Sequence, residues 1–306
     1  IVDVEIRAYY GGLLHRVGEL DAADRVLADA VSRARDIGPK GQEALAIALH
    51  QQVQLDEGRG QRDRAIGSLR ELSALLAARP QPSVGDRQMI LQELASLLGE
   101  VGNGDEAETL LREVTQDNER IYGAQHPFTI ASKVGLGRAL ARHGKPAAAQ
   151  ALLADMVALA EKEHGAEAEV TLLAQTNLAA VEYGAGHYDE AITLLERARQ
   201  QVVIRDGPNG PRALLMLQNV ARVRVDAGDM QGGQRDLEQA LAGLRAIGSN
   251  ATAEPLALLG DIARQQGDPA RARALHQQAL AAYAANGDTT SFDVQDHRLS
   301  LALDER

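Results

Sequence analysis

Gly186-His187-Tyr188-Asp189-Glu190-Ala191 is the stretch on which the reading turns, because its glycine recurs. Gly18, Gly60, Gly102, Gly144, Gly186 and Gly228 fall 42 residues apart, and Gly267 follows after 39. Self-similarity at a period of ~20–50 residues marks an array of small units rather than one large core. Other positions keep the same beat. Five residues after each glycine stand Ala23, Ala65, Ala107, Ala149, Ala191, Gly233 and Ala272. Nine after it stand Leu27, Leu69, Leu111, Leu153, Leu195, Leu237 and His276, and twelve after it Ala30, Leu72, Val114, Met156, Ala198, Ala240 and Ala279. Seven before it stand Gly11, Val53, Ala95, Gly137, Ala179, Ala221 and Gly260.

Offsets of five, nine and twelve share one stripe of an α-helix at 3.6 residues per turn. Small residues seven before and five after the glycine let two antiparallel helices approach closely. The leucine nine after it fills the space between that pair and the next, and the glycine supplies a tight reversal with positive φ. Helix starts are expected at Asp105 with Glu108, at Asp189, and at Asp268-Pro269. A second set, Gly38, Gly123, Gly165, Gly207 and Gly248, is expected to end the second helices. The predicted fold is all-α, with the array over 1–290 and a lone capping helix within 291–306. Unit 2 departs from the pattern at Gln52 and Ser68, and unit 6 at Gly233 and Asp236, so looser packing is expected there.

Composition agrees. Of 306 residues 45% are apolar but only 3% aromatic, without tryptophan, so Ala and Leu carry the core. Both are strong helix formers, and sheet folds are disfavoured. Lys and Arg number 32 against 43 Asp and Glu, a net charge of −11, which argues against nucleic acid as partner. No apolar run is long enough to span a bilayer, so no membrane contact by this segment is expected. The absence of cysteine excludes disulfides, thiolate zinc sites and cysteine nucleophiles. Ile1 stands inside a helical pattern, which leads us to expect a fragment of a longer protein.

These residues resemble the tetratricopeptide repeat (TPR). Asn177-Leu178-Ala179 followed by Gly186-His187-Tyr188-Asp189-Glu190-Ala191 carries the likeness best, and the 42-residue period is similar to the kinesin-light-chain type. The inter-repeat Gly-x-x-His-Pro-x-Thr appears once, as Gly123-Ala124-Gln125-His126-Pro127-Phe128-Thr129. The resemblance implies a right-handed α-α superhelix of about seven hairpins, with first helices lining a concave face.

No catalytic signature emerges. No two of the eight histidines are four apart, and they read as solvated helix-end residues. The stretch Gly135–Lys145 departs from a phosphate loop at Ala139 and Pro146, and Asn250-Ala251-Thr252 reads as a polar loop. No enzyme activity, metal or cofactor is expected. The resemblance places Asn177 and Asn219 on the asparagine site that contacts a bound peptide backbone, which suits an amide that both donates and accepts. Units 2, 3 and 4 carry Gln51, Glu93 and Gly135 there instead. Further groove candidates are Gln54, Gln92, Thr176, Tyr183 and Gln218, with Tyr9 and His50. Arg138, Arg142 and Arg222 form a candidate basic patch for an acidic segment, with Gly135 and Gly137 opening space beside Arg138.

The expected function is therefore a non-catalytic module binding a protein or extended peptide, or a sensor. The sequence is similar to the C-terminal repeat region of bacterial serine/threonine protein kinases, which implies a regulatory domain. That domain would be periplasmic if the kinase is transmembrane and cytoplasmic otherwise. The alternative is the effector half of a bacterial transcription regulator or peptide-pheromone receptor.

Overall fold

The computed structural model describes residues 1–79, 84–285 and 292–304. Fifteen α-helices follow one another, and no strand occurs among the described residues. The first unit, Ile1–Lys145, holds α1 (Val2–Arg16), α2 (Leu20–Ile37), α3 (Gln42–Gly58), α4 (Arg62–Ala77), α5 (Val84–Glu100), α6 (Gly104–Tyr122) and α7 (Pro127–Arg142). The second, Pro146–Arg306, holds α8 (Pro146–His164), α9 (Glu169–Gly184), α10 (Tyr188–Asp206), α11 (Pro211–Asp226), α12 (Met230–Ala246), α13 (Ala253–Gln265), α14 (Pro269–Ala285) and α15 (Phe292–Asp304). A 3-10 turn at Gly38–Gly41 joins α2 to α3. Within each unit every helix packs on its neighbours in sequence, and α15 lies against α14 and α13. Residues 286–291 and 305–306 of the predicted array end and cap lie outside the described residues.

The periodic residues do what their spacing requires. All seven ladder glycines have positive φ, from 69° at Gly60 to 94° at Gly228. Each closes the same pair of hydrogen bonds. At Gly186 the amide donates to Tyr183 O at 3.0 Å, and His187 N donates to Glu182 O at 2.9 Å, a Schellman ending. The five predicted second-set glycines also have positive φ. The stripe residues five, nine and twelve after the ladder glycines are buried throughout. Leu27 and Ala23 pack with Leu55 of the next hairpin, and Leu195 and Ala191 with Val220 and Val223. At Gly11 an added Cβ would lie 2.5 Å from Leu27 Cγ, and at Gly260 2.6 Å from His276 Nε2. The residue seven before the turn must therefore be small there because the residue nine after it occupies the space.

A second periodicity runs between consecutive second helices. Arg35 bonds Glu71 at 2.6 Å, Arg70 bonds Glu106 at 2.7 Å and Arg197 pairs with Glu161 at 3.0 Å, each 36 residues apart in sequence. Such exposed pairs contribute ~0–1 kcal/mol each and mainly set register.

Four expectations change. Asp105 and Asp189 are not N-caps; Asn103 and His187 hold those positions, without side-chain cap bonds, and the aspartates sit in the first turn. There they favour the positive helix end. Asp268 does cap, accepting from Arg271 N at 3.0 Å. Unit 2 is not loose at Gln52, which is buried and donates to Asp56 Oδ1 at 3.1 Å and Asp24 Oδ1 at 3.3 Å. Unit 6 is tight at Gly233, where a Cβ would lie 2.5 Å from Val225 Cγ2, and Asp236 is paired with Arg224. His276 is not a solvated histidine but fully buried in the leucine position of the last hairpin, 3.4 Å from Asp261.

Candidate functional site

The first helices of successive hairpins leave hollows between them. In the second unit a hollow of about 290 Å³ opens between α9, α11 and α13. It gathers Thr176, Tyr183, Asn219 and Arg222 from the candidate residues, over Ala179 and Ala180. Helical spacing explains this, since 176, 179, 180 and 183 share a face of α9, as 219 and 222 do on α11. Tyr183 donates its hydroxyl to Asp226 Oδ2 at 2.6 Å; that bond, with burial second, pushes its pKa up to about 12. Arg222 is paired with Glu254 at the start of α13. Thr176 turns its hydroxyl back onto Leu172 O at 2.9 Å. The wall is thus polar but largely satisfied from within, and Asn219 is its exposed amide.

Asn177 and Gln218 are not part of this hollow's lining. Asn177 spends its amide on Leu173 O at 2.8 Å, in its own helix. Gln218 is buried, with Oε1 lacking a partner among the described residues.

The first unit carries the other candidates. Gln92, Arg138 and Arg142 line a notch of about 60 Å³ between α5 and α7. Its floor is small-residue backbone and side chain: Ala95, Gly99, Ala131, Ser132, Gly135 and Ala139. Gly135 opens this space as expected, a Cβ there meeting nothing within 4 Å, whereas Gly137 is buried and does not line it. Arg138 and Arg142 stand one turn apart on α7, exposed, with no carboxylate partner among the described residues. Gln54 lies outside the notch and donates to Glu93 Oε1 at 3.4 Å. Burial, with Glu57 nearby second, raises the Glu93 carboxyl above its ordinary range. Tyr9, His50 and Met89 line a further hollow of about 320 Å³ between α1, α3 and α5.

The predicted basic patch therefore has two unlike parts. Arg138 and Arg142 are free cations in the first unit; Arg222, in the second, is neutralised by Glu254. Sequence reasoning missed Glu254 and Asp226. The second was within reach, since Tyr183 and Asp226 are 43 residues apart, one period plus one.

A hollow of another kind, about 450 Å³, lies among α2, α3 and α4. Asp56, fully buried, lines it, with Oδ2 unpartnered among the described residues and Oδ1 held by Gln52. Burial raises its pKa, and the Gln52 bond and Arg64 oppose the rise. Among the described residues no cluster of potential metal ligands occurs, and no helix is long and apolar enough to cross a membrane.

Stacked helix hairpins turning on positive-φ glycines, with polar hollows between their first helices, define a helical-repeat protein. The chain belongs to the tetratricopeptide-repeat family: one model of that repeat matches residues 86–162 and 212–285, and a second matches 171–200. It is similar to a Podosopora anserina putative kinesin light chain with nearly identical TPR-like repeats, 25% identical over 68% of this chain and 99% of that one, TM-score 0.57. It shares its fold with a tetratricopeptide repeat protein from Parabacteroides merdae, 17% identical over 100% of both chains, TM-score 0.65. A Rap protein complexed with Competence and Sporulation Factor is 12% identical over 93% of this chain and 77% of that one, TM-score 0.55. No curated protein matches the sequence. The chain is a TPR protein-interaction module.

Proposed function

We propose that this module is non-catalytic and binds an extended, carboxylate-bearing peptide or protein segment along the faces of its first helices. The observation that carries the reading is the pair Arg138 and Arg142, exposed and unpaired above a floor of Ala, Gly and Ser. In a chain of net charge −11, where most arginines already hold a carboxylate, two adjacent free guanidinium groups offer bidentate donors to an incoming one. The small floor lets a main chain approach the helix. Within the second unit, the Asn219 amide and the Arg222–Glu254 pair offer polar contacts of their own to a peptide main chain.

The 42-residue period and the composition support a finer reading, the C-terminal regulatory region of a bacterial serine/threonine kinase, where ligand capture biases a domain beyond this array.

A synthetic array of acidic, neutral and basic 12-residue peptides tests the binding reading. The protein retains acidic peptides, and Arg138→Glu with Arg142→Glu weakens them at least ~10-fold, as loss of two partly exposed charge-assisted contacts implies. Equal retention of all three classes, or unchanged affinity in the variant, overturns the reading.

A further inference from the structure

The second hairpin, α3 with α4, is polar where its neighbours in sequence are not. Asp56 and Ser68 stand four residues before and eight after its ladder glycine. At the same two positions the third and fourth hairpins carry Leu98 with Leu110 and Leu140 with Leu152. A third position, on the second helix of the preceding hairpin, completes the set; for the second hairpin it is Ala28.

The sixth hairpin shows what polar residues at these three positions achieve. There they are Glu196, Arg224 and Asp236. The Arg224 guanidinium lies between the two carboxylates, 2.9 Å from Glu196 Oε1 and paired with Asp236. In the fifth hairpin Glu182 takes the Asp56 position; Gln150 Nε2 donates to it at 2.8 Å, and His187 Nδ1 lies 2.7 Å from its other oxygen. Both hairpins satisfy the charge from their own chain.

In the second hairpin the charge lacks its counterpart. Asp56 is fully buried, Gln52 holds Oδ1 at 3.1 Å, and Oδ2 has no partner among the described residues. Arg64 stands 3.6 Å from Oδ1 but gives its hydrogen bond to Asp24 at 2.9 Å. Arg35 and Glu71, which also line the space, hold each other at 2.6 Å. Ala28, Gly67 and Ser68 are too short to fill what leucines or an ion pair fill elsewhere. They leave the hollow of about 450 Å³, with Val31 and Leu49 as its apolar wall. Pockets for small molecules run from ~300 to 1,000 Å³. A buried carboxylate oxygen without a donor is costly, and a cationic N–H is its strongest complement.

We infer that this hollow binds a small cationic group, a guanidinium or primary ammonium on a short aliphatic stem. The head donates to Asp56 Oδ2 in the space that Ala28 and Ser68 leave, and the stem lies toward Val31 and Leu49. The sixth hairpin is the inverse arrangement, with the cation at the Asp56 position and the acids at the other two. Oδ2 lies beneath the surface, so the head reaches it by displacing the exposed Arg64 side chain that stands beside the same carboxylate.

Isothermal titration calorimetry of the full chain with agmatine, n-butylamine and, as an uncharged control, n-butanol tests this near neutral pH. One equivalent of either cation binds, and butanol does not. Asp56→Asn keeps the shape, removes the charge and weakens binding at least ~10-fold. Ser68→Leu installs the side chain of the third and fourth hairpins and abolishes binding, while its helical circular dichroism melt shows a folded chain. Nα-acetylarginine methylamide separates the two sources of the head. Binding tighter than that of agmatine assigns it to a basic side chain of a polypeptide, and weaker binding to a free amine or guanidine. No saturable binding of either cation up to about 10 mM overturns the inference. Undiminished binding by folded Asp56→Asn or Ser68→Leu, or equal binding of butanol, overturns it as well.

Discussion

Replacing Gly11 by alanine probes the contact from which the hairpin is built. Gly11 stands seven residues before the turn, and the Cβ it lacks would lie 2.5 Å from Leu27 Cγ and 2.7 Å from Leu27 Cδ2. Carbon atoms normally approach to ~3.5–4 Å, so the helices must separate or Leu27 must leave its rotamer. Overpacking of this kind costs ~1–3 kcal/mol, and the better helix propensity of alanine returns ~1 kcal/mol. The net loss is therefore ~0–2 kcal/mol. Leu27 is fully buried, and Leu27→Ala alone costs ~2–5 kcal/mol. In the double variant the new methyl enters the space the leucine vacates, so the two losses should fall short of additivity by ~1–2 kcal/mol. Urea unfolding followed by helical circular dichroism on the four proteins measures this coupling. Gly67→Ala is the control, since Gly67 lies on exposed α4 surface with nothing within 4 Å of its added Cβ, and it should gain ~0.5–1 kcal/mol. Additivity within ~0.5 kcal/mol, or a gain at Gly11 equal to that at Gly67, would refute the pairing of these two positions.

Two further outcomes follow from the polar groups. Burial holds the Asp56 carboxyl above its ordinary 3.8, so the folded state binds that proton more tightly than the unfolded chain. Its contribution is present below pH 3.8 and is lost as the pH rises through the elevated folded value. Asp56→Asn should thus gain stability relative to the parent as pH is raised from about 4 to 7, and a gap that is constant or shrinks across urea titrations would contradict the burial argument. Glu254→Gln releases Arg222 from its ion pair, and acidic peptides should then bind about 3–10-fold more tightly at low salt, measured by fluorescence anisotropy; unchanged affinity would remove Arg222 from the site.

The fold was legible because its determinants are local and periodic. A glycine at positive φ, and an Ala-Leu stripe on one helix face, are each specified within a few residues and then repeated, so Gly186, Ala191 and Leu195 announce their roles without knowledge of their neighbours. The inter-helix motif at Gly123 was legible for the same reason: Thr129 returns its hydroxyl to Gly123 O at 2.8 Å and His126 accepts from Phe128 N at 3.2 Å. The site was legible only in outline. Which face of α9 and α11 lines a hollow follows from spacing, but what a polar side chain does there depends on the helix opposite. Asn177 had an acceptor one turn back in its own helix and took it. Arg222 met Glu254 from the following hairpin, whereas Arg138 met no carboxylate among the described residues. Gln52 looked like a defect in an apolar stripe, yet two aspartates from α2 and α3 make it a bonded core residue. Pairings of this kind are set by tertiary neighbours, and no single period encodes them.

Hydrogen–deuterium exchange with the tightest-binding acidic peptide tests the central claim most directly. Binding along the first helices of the first unit predicts slowed exchange in α7, residues 127–142, with the second helices α4 and α6 unaffected. Protection confined to α4 and α6, or absent from α7, would contradict it.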